Sequence, residues 1–172
     1  MKLKILTRKI HYWASIAIAV PLLVIICTGL LLQLKKNLSW VQPVEQRGDG
    51  GALALSLPAI LEIARSVPEA QVRDWSDIPR VELRPGRGLV KVVSANSTEI
   101  QIDAATGKVL QVAQRRSDLI ESLHDGSWFH PRVKLLIFLP VGIVLLGLLL
   151  TGLYLFFLPI YAKRRGRVVR AK

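Results

Sequence analysis

Two uninterrupted apolar runs, residues 10–34 and 135–161, bracket a stretch in which apolar and polar positions alternate over short distances. Crossing the hydrocarbon core of a bilayer as a helix takes about 20 apolar residues, and both runs exceed that. In lipid a backbone must satisfy its own hydrogen bonds, so each run is expected to be a transmembrane helix. The first contains Pro21, which predicts a kink. The second starts after Pro131, contains Pro140 and is expected to stop near Pro159. Its 27 uncharged residues would extend about 40 Å, enough to tilt or protrude.

Between the runs the pattern changes period. Residues 40–54 hold Pro43 and the Gly48-Asp49-Gly50-Gly51 run and are expected to be a linker. Ser56-Leu57-Pro58 then opens a helix, with Ser as cap and Pro in the first turn. Leu57, Ile60, Leu61 and Ala64 recur at helical spacing until Val67-Pro68. Short strands are expected around 72–75, 81–84, 89–94, 99–103 and 109–112. The alternation of Val81/Leu83, Val90/Val92 and Ile100/Ile102 gives a sheet with one buried face. Residues 103–107 form a turn, 117–123 a helix, and Asp125-Gly126 a second turn. The fold class is therefore a membrane protein of α+β type: two antiparallel transmembrane helices flank a small helix-plus-antiparallel-sheet domain. The expected division is 1–9, a basic N-terminus; 10–34, the first span; 35–55, the linker; 56–130, the domain with its connecting helix; 131–161, the second span; and 162–172, a basic tail.

Charge orients this hairpin. Ten Lys and Arg, and no acid, lie in residues 1–9 and 162–172, whereas residues 37–132 carry eleven Lys and Arg against all twelve Asp and Glu. Basic ends mark the cytoplasmic side, so both termini are expected there and the domain across the membrane. The excess is read as topology and attraction to anionic lipid, not as nucleic-acid binding. The first run is twice a signal-peptide core and lacks a small-residue cleavage pattern, so a retained anchor is expected. The only cysteine, Cys27, lies inside it, leaving the domain without a disulfide. A bacterial inner membrane with the domain in the periplasm fits these features.

Chemistry-bearing residues are few. No His-Glu-x-x-His, Gly-x-Ser-x-Gly or phosphate-binding glycine loop is present, so hydrolysis is not expected. Ala14, Ala17 and Gly29 in the first run and Gly142, Gly147 and Gly152 in the second allow close helix approach. The pairs Thr28-Gly29 and Thr151-Gly152 are read as packing features. Three histidines stand at the membrane borders: His11 at the cytoplasmic end of the first helix, His124 and His130 before the second. Read alone, they are interfacial anchors alongside Tyr12 and Trp13. An outer metal site from His124, Asp125 and His130 is the weaker chemical alternative.

The helix, strands and Ile102-Asp103-Ala104-Ala105-Thr106-Gly107-Lys108-Val109-Leu110 resemble a PepSY domain. The flanking segments are similar to the PepSY-associated transmembrane family: Ile10-His11-Tyr12-Trp13 followed by Thr28-Gly29-Leu30, then Leu123-His124-Asp125-Gly126 followed by Leu150-Thr151-Gly152-Leu153-Tyr154. The chain is a minimal version, with two spans where larger members have about four. Those members include proteins implicated in reducing ferric siderophores, with motif histidines as haem ligands. The resemblance thus implies haem b on His11 and His124, with His130 a candidate less clearly within the pattern. Haem electron carriers take an axial nitrogen on each side of the iron. Because His11 and His124 lie at opposite borders, one chain cannot supply both nitrogens. A homodimer would, pairing His11 with its mate inside and His124 or His130 with its mate outside. Electron transfer linked to iron acquisition, as a ferric-reductase component, is the first expectation. The alternative is a periplasmic regulatory module without redox activity, since PepSY domains also accompany peptidases, or an assembly subunit of a larger membrane complex. The expected partners are accordingly the lipid bilayer, a second copy, and a periplasmic protein or ferric siderophore.

Overall fold

The computed structural model describes the backbone of residues 2–50 and 53–170 and the side chains of residues 5–50 and 53–161. The basic side chains Lys2 and Lys4 and those of residues 162–172 lie outside this description. The chain forms two compact units, Met1–Gly29 with Ser122–Lys172, and Leu30–Glu121.

The first unit holds the long helices. α1 (Lys2–Gln33) is helical throughout and passes through Pro21 without interruption. The second long helix begins with the short turn α4 (Pro131–Val133), widens into a π turn at Lys134–Phe138, and continues as α5 (Leu139–Arg170). Pro140 explains the widening. It has no N–H to give the carbonyl four residues back, at Leu136, and its ring needs the extra room. Contrary to the expected stop, α5 runs through Pro159, as helices in lipid can when neighbouring groups satisfy the freed carbonyl. The most apolar 18-residue stretches of Ile5–Gln33 and Pro131–Tyr161 both have a mean hydropathy of 2.7, and only 11% and 6% of those stretches are buried within the protein. The core helix of a soluble protein would be mostly buried. These side chains need a lipid solvent, and the chain is a membrane protein.

The second unit is the α+β domain. Ser56 caps α2 (Leu57–Arg65) by accepting from the Ala59 N–H at 3.3 Å. Four antiparallel strands follow in sequential order: β1 (Arg80–Arg84), β2 (Leu89–Val93), β3 (Thr98–Asp103) and β4 (Val109–Gln114). Register places Val81 opposite Val92, Val92 opposite Ile100, and Ile100 opposite Val112. This apolar face packs on Ile60, Leu61 and Ala64 of α2, with Val67, Ala70, Val72 and Ile78 closing the core. The strand expected at 72–75 is absent. Asp74 instead accepts from Ser76 N and Asp77 from Arg73 N, at 2.7 and 2.8 Å, and these local bonds draw the backbone into a tight turn. α3 (Ser117–Asp125) carries buried Ile120 and holds His124 in its last turn.

The opposite face of the sheet is also covered, against the expectation of a solvated one. Residues 40–50, expected to be a linker, form a strap across it. Gln101 accepts from Gln46 N at 2.7 Å and donates to the Val44 carbonyl at 3.1 Å. Asp103 accepts from Asp49 N at 2.7 Å, and Gly48 N donates to the Arg87 carbonyl at 2.9 Å. Gly48 is required there, because a Cβ would collide with the Gly88 carbonyl oxygen. Beneath the strap Lys91, Glu99 and Gln101 are almost wholly buried, at 1%, 0% and 0% exposure. Buried charges must be paired: Arg115 lies 2.8 Å from Glu99, and Lys91 lies 3.1 Å from Glu45 and 3.6 Å from Glu99.

Candidate functional site

Within the helical unit, α1 and α5 each meet a histidine with a threonine-glycine pair. His11 on α1 places Nδ1 3.1 Å from the Thr151 hydroxyl on α5. His124, at the end of α3, places Nδ1 3.0 Å from the Thr28 hydroxyl on α1. Gly29 leaves space for the His124 ring, whereas at Gly152 a side chain would meet the His11 ring only at ordinary contact distance. A Cβ at Gly29 would lie 3.2 Å from His124 Cε1, and one at Gly152 would lie 3.9 Å from His11 Cε1. The two threonines are thus ring seats.

The hydrogen bonds fix which ring nitrogen carries the proton. His124 Nδ1 lies 3.1 Å from the Ile25 carbonyl, which can only accept. Nδ1 is therefore the donor, and in the neutral ring Nε2 keeps its lone pair. The Thr28 hydroxyl spends its proton on the Val24 carbonyl at 2.6 Å, so it too accepts from the ring. At the other site the Thr151 hydroxyl donates to the Gly147 carbonyl at 2.8 Å, which assigns the same tautomer to His11. Among the described residues neither Nε2 has a hydrogen-bond partner. An imidazole held through Nδ1–H with a bare Nε2 is the arrangement used for metal-ligating histidines.

His130 is set differently. Its Nδ1 accepts from Arg132 N at 3.1 Å and caps α4, so the neutral ring carries its proton on Nε2, and the side chain is exposed. His124, Asp125 and His130 do not converge: among the described residues no three His, Cys, Asp or Glu are grouped to hold a metal. Asp125 instead accepts from Lys134 at 2.6 Å and from Ser127 N at 2.9 Å, and Lys134 followed by Ser127 holds its carboxyl at about 2. Gly126, at φ +79°, lies so close to the Phe138 ring that a Cβ would overlap it. These contacts fix the turn that follows His124.

His11 and Thr28 lie seventeen residues apart on one helix, which separates the two sites by about 25 Å along its axis. Each site therefore contributes one imidazole per chain. Sequence reading singled out the histidines and both Thr-Gly pairs but not their pairing. The signal was the shared order, a histidine near the start of each segment and Thr-Gly near its end. In an antiparallel hairpin that order brings each histidine to the other helix's pair.

A family model described as the PepSY-associated TM region matches residues 8–171. No curated protein and no solved structure matches the chain.

Proposed function

We propose, from the premise that this chain belongs to the PepSY-associated transmembrane family, that it is a haem-assisted electron carrier of the bacterial inner membrane. The observation that carries this reading is the shared setting of His11 and His124, with Nδ1 held by the opposite helix and Nε2 left bare. Those two nitrogens would hold haem b, one at each border, and His130 is left to cap α4. The bound group supplies a one-electron iron couple. The chain's own residues supply orientation: Thr151 and Thr28 fix ring rotation, and Gly29 admits the His124 ring edge. With one imidazole per site, a second copy of the chain would supply the other nitrogen at each. The basic ends face the cytoplasm by the positive-inside rule, which puts the domain in the periplasm and the His124 site on that side. Iron bound by a siderophore is the acceptor this reading assigns.

The test is the absorption spectrum of full-length protein purified from haem-replete cells. A Soret band that shifts on reduction is expected, together with its loss in a His11→Ala, His124→Ala double variant that still elutes as wild type. A colourless wild-type protein, or an unchanged band in the double variant, would sink the reading.

A further inference from the structure

The domain carries a second feature that neither the helices nor the histidines use. A cavity of about 390 Å³ opens where the strap meets β1 and β2, and five cations line it: Lys35, Lys36, Arg84, Arg87 and Lys91. Glu45 is the one carboxylate in the lining. It lies 2.9 Å from Arg87, 3.1 Å from Lys91 and 3.5 Å from Arg84, so its single charge is shared among three partners. Burial pulls its carboxyl upward, but Lys91, Arg87 and Arg84 outweigh that and hold it below the usual carboxylate range. Arg84 has a further partner in Glu82, at 2.8 Å. Lys35 and Lys36 have no acidic partner among the described residues. The lining thus keeps a surplus of positive charge around a concave space, where low-dielectric walls concentrate the field.

Gln42, Pro43 and Val44 complete the wall without adding charge. Lys35 and Lys36 follow the last residue of α1, Gln33, by two and three positions. That places them at headgroup depth, where phosphodiesters are abundant.

The geometry points to this cavity as a binding site for a phosphate ester, with Lys35, Lys36 and Arg87 on the phosphoryl oxygens. Such a group reaches it either as the headgroup of phosphatidylglycerol or as free glycerol phosphate. Full-length protein in a neutral detergent, titrated with each and read by native mass spectrometry, tests it. Phosphatidylcholine serves as the neutral control. Binding of either phosphate at one per chain is expected, weakened about tenfold in Lys35→Gln, Lys36→Gln, the cost of losing charge-assisted contacts. Arg73→Gln, a change at an exposed residue outside the cavity, should leave binding intact. Retention of phosphatidylglycerol alone assigns the site to lipid, and equal competition by glycerol phosphate assigns it to the free ester. Failure of both to bind wild type, or equal binding by wild type and the double variant, overturns the proposal.

Discussion

Asp103 shows how much one side chain can hold. Its Oδ2 accepts from Asp49 N in the strap, and its Oδ1 accepts from Ala105 N, Thr106 N and the Thr106 hydroxyl at 2.7–2.9 Å. These donors, the Asp49 amide first, hold the carboxyl at about 2 against an ordinary 3.8. A carboxyl depressed on folding contributes stability that is complete above its unfolded value and disappears as pH falls through the folded one. Melting of the full chain in detergent should therefore lose temperature between about pH 4 and pH 2, and Asp103→Asn should flatten that slope while lowering the neutral-pH melt. An unchanged slope in the variant would refute this assignment. The Asp103–Gly107 turn was legible from residue types alone, because Gly107 sits at φ +76° where glycine is favoured. The strap's hold on Asp103 was not, since a backbone amide fifty-four residues away leaves no local pattern.

At the scale of elements, the alternating apolar residues placed β1 to β3 correctly because a period of two survives any packing partner. What covers the polar face could not be read the same way. Lys91, Glu99 and Gln101 look like ordinary solvated positions in sequence, and their burial depends on a glycine-containing segment whose composition signals a loop. Covering that face commits the domain to matched charge. Glu99 has no exposed surface and answers both Arg115 and Lys91. Glu99→Ala would strip one partner from each of two buried cations, leaving Lys91 to Glu45 and Arg115 to Asp118 and Glu82, and should destabilise the domain by about 1–3 kcal/mol. Intrinsic fluorescence during thermal unfolding checks this through Trp40 and Trp75, and a loss under 1 kcal/mol would show that the network is dispensable. The missing strand at 72–75 follows a related rule: Asp74 and Asp77 offer nearby N–H groups better local partners than a ladder would.

For the molecule as a whole, the apolar runs gave away the membrane hairpin because lipid permits so few backbone solutions. The reciprocal seating of His11 on Thr151 and His124 on Thr28 was hidden by separations of 140 and 96 residues. Polar bonds between helices in lipid are each worth about 0.6 kcal/mol, up to about 1.7. Thr28→Val and Thr151→Val should each cost about that much in hairpin stability. Sites about 25 Å apart share no partner, so the double variant should lose the sum. Denaturation of the full chain by graded sodium dodecyl sulfate measures all three proteins. A double variant no weaker than either single one would show that the seats are not separate anchors.

The crossed arrangement also acts as a gauge of helix alignment. If α1 slid one turn along α5, about 5.4 Å, both imidazoles would leave their hydroxyls in the same movement, however far apart they stand. Neither contact can be lost alone by such a slip, so a single displacement along the helix axis would break or restore both together.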